Sequence, residues 1–575
     1  MRVDWERVRR VALTFVAHGA VAAIVSAPVA AERAIEGVHF EDRLGTLPVE
    51  VALSHNGAST LDTGILGRIY WEQTGFAGFG ATIRATGPPE AGGSLASYVS
   101  PRFIEANAQF VSDPGEVARV YGEEMRAQLF ERFWRFELVT FLVGGIGLSL
   151  LFRGSHPLAS IPRGGRRYAV GTLVVAAGVV SSSLVAVQLF RNWEGDTEIA
   201  QSYPMSSIDG LSFSNPESLE IAEQVQPFIT KNTDRIKQHA EAFEEAALAS
   251  FEAELPRHAE ALRPRDNELI VIAEADSQGS QVGTNVRTEM YPLLVRELGR
   301  DAFAMRTISG DISSNGTVAE AGFVRDESVA SGDIPLVAVK GDHDTDATLE
   351  QLHDNDVTVP HFDVTEVDDL RVVVGNDPAF KTLFGGMVVN ETGVTERELG
   401  ESLREMVDED DPEQPLITLF HQPRSAAGYI GIRSLAELER TTGHRSLPWD
   451  DGIPDLPPGT INVGHLHDVE GPWVIWNTDG DEVTWTVVSQ LGTSGGVEEN
   501  PTFNRFSTPF STPLKKMSMQ LQYVNEETGL QTGYVAIEVA TDGTVTIGPR
   551  VDVGLPGGEP VPVEDLDLEL PEARD

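Results

Sequence analysis

Five short polar groups, each at the end of a hydrophobic run, carry residue types suited to cation chemistry. They are "LIVIAEADSQGS" with Asp276 and Gln278, "MRTISGDISSNGT" with Asp311, "LVAVKGDHDT" with Asp342 and His343, "PLITLFHQP" with His421, and "GTINVGHLHD" with His465 and His467. Carboxylates, a neutral amide and imidazoles, with no thiolate among them, suit hard and borderline divalent ions such as Mn, Fe, Zn or Mg. A single carboxylate can bridge two ions through its two oxygens. Glycine precedes Asp311, Asp342 and His465 and permits close backbone approach. His465 and His467 are two apart, so on an extended segment they share a face; a bend at Gly464 would let them serve different ions. Taken singly, each group reads as a turn former or a packed loop residue, and Asp344 as a solvated loop acid. Five on one kind of strand end point to a shared site.

The surrounding pattern supplies the elements that such a site needs. "ELIVIAEA", "AFAMRTIS" and "IPLVAVK" read as strands. They alternate with helical "NVRTEMYPLLVRELG", despite its Pro292, and "TVAEAGFVRDESVA". Alternation of this kind predicts a layered α/β domain with a parallel or mixed sheet. In such folds the loops beyond strand C-termini gather along one edge, so groups far apart in sequence can converge. Later strands, "EVTWTVVSQL", "MSMQLQYVN", "TGYVAIEVA" and "GTVTIGP", read as hairpins that close a second sheet.

Bulk composition narrows the function. The 575 residues carry 88 acids against 43 basic residues, a formal charge of -45. A broad basic surface for nucleic acid is therefore not expected. With no cysteine, thiol catalysis and Cys-type zinc sites are excluded.

Three apolar stretches predict membrane attachment. Val11–Ala31 follows Arg9-Arg10 and ends in small residues, as an anchor or a cleaved signal segment would. Leu138–Phe152 is short for a span, and Tyr168–Phe190 is uncharged and long enough to cross. The loop between them holds Arg153, Arg163, Arg166 and Arg167 and no acid, which places it in the cytoplasm. The bulk of the chain then lies outside the cell membrane, in a multi-pass topology. Residues 32–135 read as an exposed β-rich module with a helix, 136–193 as a transmembrane hairpin, and 194–265 as a helical linker that Pro227 breaks or kinks. The α/β domain covers 266–551. An acidic, Pro-rich tail, 552–575, is expected to be disordered.

The ordered groups "DSQ", "GD", "GDHD", "FHQP" and "GHLHD" resemble the calcineurin-like metallophosphoesterase superfamily. Its pattern is Asp-x-His, Gly-Asp, Gly-Asn-His, a lone His and Gly-His-x-His. The resemblance covers roughly residues 267–550. The preceding spans and β module look like the membrane-anchored bacterial branch. What the resemblance implies is a four-layer α-β-β-α sandwich holding two divalent metal ions. One ion would take Asp276, Gln278, Asp311 and His467; the other would take Asp311, Asp342, His421 and His465. Asp311 would bridge, and His343 would stabilise or protonate the leaving oxygen. The implied reaction is hydrolysis of a phosphomonoester or phosphodiester, or of an envelope component carrying one, by a hydroxide between ions roughly 3.5–4 Å apart. Gln278 stands where the pattern has His, and Asp342 where it has Asn. A second register would pair Glu274 with Asp276, whereas Asp276 with Gln278 leaves "LIVIAEA" intact. "VVVGNDPAF", with Asn376 and Asp377, resembles a supporting loop of the membrane-anchored relatives. The rival expectations are a non-catalytic envelope receptor and a structural membrane protein whose exposed module carries the function.

Overall fold

The computed structural model describes residues 5–44, 47–54, 59–62, 68–71, 80–86, 114–151, most of 172–187, 202–206, 211–381, 388–441 except 391, 453–498 except 479, and 512–563. The chain divides into two compact units, the first made of 1–89 and 114–228, the second of 90–113 and 229–575.

In the first unit, two long helices, Trp5–Gly37 and Pro114–Leu151, pack together. Their segments Val11–Gly37 and Tyr121–Leu151 are each long and apolar enough to cross a membrane. The second apolar stretch is therefore not short: it is the end of one helix that begins at Pro114 and runs through residue 135. Small residues bring the two helices close, as helix pairs in lipid commonly require. A Cβ at Gly144 would lie 2.4 Å from that of Ala22. Phe15 meets Phe141 edge-on, and Ser26 donates to Glu137 Oε1 at 3.1 Å. Of the third stretch, helical residues between 172 and 187 are described; its remainder and the arginine loop lie outside the described residues. Among the described residues, the segment 32–135 supplies β1 (His39–Leu44), β2 (Leu47–Ser54), β3 (Ser59–Asp62), β4 (Arg68–Trp71) and β5 (Gly80–Ala85), and the segment expected to be a helical linker adds β6 (Tyr203–Pro204) and β7 (Ser212–Phe213), making a seven-stranded sheet. Its order is β1-β2-β5-β3-β4-β7-β6. The helix Pro216–Leu262 begins in this unit and ends in the second; it continues past Pro227, so the proline does not break it.

The second unit is a mixed α/β sandwich. Strands β8 (Glu268–Glu274), β9 (Phe303–Ile308) and β10 (Leu336–Ala338) are parallel neighbours. A second sheet is built from β11 (Thr365–Val367), β12 (Leu370–Gly375), β15 (Leu416–Phe420), β16 (Gly459–Val463), β17 (Glu470–Asn477) and β18 (Glu482–Gln490), in the order β11-β12-β15-β16-β18-β17. Between β12 and β15 lies a small hairpin of β13 (Phe380–Lys381) and β14 (Val388–Val389). The late strands β19 (Met517–Asn525), β20 (Gln531–Val539), β21 (Val545–Ile547) and β22 (Val551–Asp552) do not close the second sheet. They extend the first, because β19 pairs antiparallel with β8.

Period-two alternation explains how the layers meet. In β8, Ile270 and Ile272 pack with helices 216–262 and 281–298. Val271, between them, packs with Val372, Val374, Ile417 and Leu419 of the other sheet. The opposite face of that second sheet, through Phe420, Ile461 and Val463, packs with helices Glu396–Asp410 and Pro423–Ile430. Polar side chains between the sheets are mutually satisfied. Asn462 Nδ2 donates to Gln522 Oε1 at 3.0 Å, and Gln522 Nε2 returns a bond to Asn462 Oδ1 at 2.8 Å.

The tail corrects the expectation of disorder for 552–575. Val553 joins a cluster with Trp476 and Trp485, and β23 (Val561–Pro562) pairs with β18. Apolar residues spaced among the acids suffice to dock it as far as 563; residues 564–575 lie outside the described residues.

Candidate metal centre

All five strand ends reach one place, but from two sheets. Asp276 and Gln278 follow β8, Asp311 follows β9, and Asp342 and His343 follow β10. His421 follows β15, and His465 and His467 follow β16. The loops leave their strands in an uncommon backbone state. Asp276, Gln278, Asp311, His465 and His467 have φ of 54°, 41°, 54°, 77° and 56°. Non-glycine residues held there cost on the order of 1–3 kcal/mol each and persist only where the surroundings demand it. Two glycines are required by close approach. A Cβ at Gly341 would fall 2.2 Å from both the backbone N and Oδ1 of Asp311, and one at Gly310 would fall 2.5 Å from the His421 ring.

Two donor groups result. Asp311, Asp342, His421 and His465 form one, and Asp276, Asp311 and His467 form the other; in each, the ligand atoms lie within 4.8 Å of one another. Asp311 belongs to both. His421 Nε2 stands 3.2 Å from Asp311 Oδ1 and 3.5 Å from Asp342 Oδ1. His467 Nε2 stands 3.5 Å from Asp276 Oδ1. The backbone N–H of His465 donates to both oxygens of Asp276, at 3.1 and 3.0 Å.

The imidazoles are set up as ligands. His421 Nδ1 meets the carbonyl of Ser309 at 3.0 Å, and His467 Nδ1 meets that of Val497 at 2.7 Å. A carbonyl only accepts, so each Nδ1 carries the proton and the lone pair of the neutral ring sits on Nε2. Both Nε2 atoms, and Asp342 Oδ1, are buried without a hydrogen-bond partner among the described residues. A buried polar atom left so costs about 1–3 kcal/mol, and three of them converge here. These residues fit divalent cations by donor type, convergence and orphaned atoms alike. The electrostatics are dominated by the carboxylates, whose charge a proton on His421 or a bound cation would offset. Burial disfavours a charged His421, but Asp311 and Asp342 override it and raise its pKa well above the ordinary value. Burial would raise Asp342, yet His421, His343 and Lys381 hold it far below the carboxylate range. Burial, with His421 next to it, pushes His465 down to about 3.

Gln278 behaves differently from the other candidates. Its Nε2 donates to Asp311 Oδ2 at 2.9 Å, so the amide braces the shared carboxylate. The group around Asp276 therefore has three carboxylate and imidazole donors against four around Asp342. His343 is half-buried at the edge; its N–H donates to Asp311 Oδ1 at 2.8 Å, and its Nδ1 meets the Ser314 carbonyl at 2.7 Å.

Glu274 is not part of either group. Its side chain is fully buried with Arg287, Arg306 and Tyr291, with Arg287 Nη1 and Arg306 Nε each donating to Oε2 at 2.9 Å. Geometry disfavours the register that pairs it with Asp276. Glu274 is the last residue of β8 and shares the helix-facing side of Ile270 and Ile272, whereas Asp276 lies beyond the strand, where its positive φ has turned the chain.

Three residues carry roles that the motifs did not assign. Asp344 is buried, not solvated. It accepts from Ile312 N, Ser313 N, Ser313 Oγ and Gly341 N at 2.7–3.1 Å, and so ties the Asp311 loop to the Asp342 loop. Gln422 Nε2 donates to Asp342 Oδ2 at 2.9 Å. Lys381 Nζ lies 3.0 Å from the same oxygen. Asp344 and Gln422 adjoin the motifs in sequence; nothing around Lys381 marked it. Asn376 and Asp377 brace the end of β10: Asn376 Oδ1 accepts from Lys340 N at 2.9 Å, and Lys340 Nζ donates to the Asp377 carbonyl at 2.8 Å. Burial pushes the Asp377 carboxyl up to about 7. His444 lies outside the described residues.

No family model matches the chain, and no curated protein does. Among solved structures, the crystal structure of TT1561 of Thermus thermophilus is similar at 13% identity, over 49% of this chain and 98% of that one. The TM-score is 0.26, too low for that likeness to bear on fold or function.

Proposed function

We propose that this chain is a membrane-anchored, metal-dependent phosphoric ester hydrolase whose α/β unit, a four-layer α-β-β-α sandwich, acts outside the cell on a phosphomonoester or phosphodiester. One observation carries the proposal: two donor groups at converging strand ends share Asp311. Bound divalent cations would supply charge to neutralise phosphoryl oxygens and would acidify a water. Asp311, Asp342, His421 and His465 would hold one cation, and Asp276, Asp311 and His467 the other, with Gln278 keeping Asp311 in place. His343 would orient or protonate the leaving oxygen through Nε2, its Nδ1 being engaged at Ser314. The two apolar helices support membrane attachment, and the arginine-rich loop of the sequence supports an extracytoplasmic catalytic unit.

The test is hydrolysis of an aryl phosphate monoester and diester by the full chain in detergent, with and without added Mn²⁺. Metal-dependent turnover that Asp311→Ala abolishes is expected; equal turnover in that variant would refute the assignment. A second reading, a cation-holding envelope receptor with weakened catalysis, is favoured by the Gln278 bond to Asp311. Stoichiometric Mn²⁺ binding without turnover on either ester would select it.

A further inference from the structure

Asp342 brings an extra negative charge to its donor group, and the structure places a cation against it. Lys381 Nζ is 3.0 Å from Asp342 Oδ2, with the lysine side chain 17% and the aspartate 3% exposed. The Lys381 backbone N–H also donates to the Asp342 carbonyl, at 2.5 Å, so β13 is fastened to the Asp342 loop by main chain and side chain together. Gln422 Nε2 holds the same Oδ2 at 2.9 Å. The other oxygen, Oδ1, is the buried one that has no hydrogen-bond partner among the described residues and faces His421 Nε2. One oxygen is thus anchored by a cation and an amide, and the other is left for a ligand.

We propose that Lys381 is a positioning residue for this group: it offsets the charge of Asp342 and turns Oδ1 toward the cation position, so that an aspartate serves with nearly the net charge of a neutral oxygen ligand. The inference rests on the metal-site reading above and deepens it. Exposed ion pairs contribute little, but this one is mostly withdrawn from water, where charge is less screened. The lysine's charge is also felt at Asp311 and His465. Because Gln422 continues to hold Oδ2, loss of Lys381 removes the charge more than the orientation.

Calorimetric titration of the metal-free full chain with Mn²⁺, in detergent, tests this. Lys381→Met should tighten the stronger Mn²⁺ event by roughly tenfold or more while slowing ester hydrolysis, since removing a nearby positive charge favours the cation. Lys381→Arg, which keeps the charge, should stay close to wild type. In an Asp342→Asn background the lysine loses the carboxylate that holds it beside the site, so Lys381→Met should tighten binding far less, the signature of two residues acting as a pair. Weaker Mn²⁺ binding in Lys381→Met, equal in both backgrounds, would overturn the inference. So would wild-type binding that Lys381→Met leaves unchanged, with the metal-site reading intact. Absence of stoichiometric Mn²⁺ binding in the wild-type chain would overturn both.

Discussion

Asp311 Oδ1 lies 3.2 Å from Nε2 of His421, although the two residues end strands of different sheets. Asp311 follows β9 and His421 follows β15. Their contact is where the two halves of the sandwich become one site. It depends on the inter-sheet packing of Val271, Met305, Val372 and Leu419, so the donor geometry is set by a core and not by the loops alone.

Gln278→His should convert a brace into a ligand. The amide now donates to Asp311 Oδ2, and an imidazole would instead add a borderline-soft nitrogen to the three-donor group. The weaker of two Mn²⁺ events should tighten by at least ~10-fold, the scale on which even the outer partners of metal ligands act. Calorimetric titration measures it; an unchanged second event would show that Gln278 does not limit this group.

Gly341→Ala should abolish cation binding without unfolding the unit. The new Cβ would sit 2.2 Å from Asp311 N and Oδ1, so the shared carboxylate must move. Far-UV circular dichroism should be retained while Mn²⁺ heat is lost. Full-strength binding in this variant would contradict the observed approach of the two loops.

Acid should destabilise the α/β unit through Glu327. Burial would raise its pKa, but Arg287 and Arg306 hold it at about 2, against an ordinary 4.5. A depressed carboxyl stabilises the fold fully above pH 4.5, and that stability is lost as pH falls from 4.5 through 2. The amount at stake is on the order of 3 kcal/mol. Urea midpoints measured between pH 7 and pH 2.5 should fall in the wild type through this window. Glu327→Gln should be less stable at pH 7 and show a flatter decline; the difference removes the opposing effect of relieving the chain's negative charge.

Gly144→Val should loosen the apolar helix pair. Its Cβ would overlap that of Ala22, 2.4 Å away, and overpacking of this kind costs about 1–3 kcal/mol. A lower melting temperature in detergent is expected, with Mn²⁺ affinity unchanged. Wild-type melting behaviour would argue against the observed crossing.

Much of the site was legible because its signals are local. Strand ends carry their own marks: an apolar run, then a short polar group, with Gly before Asp311, Asp342 and His465. These identified all eight candidates, which lie together at the ends of β8, β9, β10, β15 and β16. Partners that act across the fold left no such mark. Lys381 sits in a two-residue strand and gains its role only because β13 lands beside the Asp342 loop.

By itself the sequence determined which side chains are available, the period-two faces of β8, and the apolar stretches near the N-terminus. Tertiary structure alone decided that β19 joins β8, that the tail docks on Trp485, that Glu274 turns to the arginines, and that Lys381 meets Asp342. The reason is physical. Alternation is a property of neighbours along a strand, whereas strand order, loop convergence and the pairing of buried charges follow from contacts between segments far apart in the chain, which no local pattern encodes.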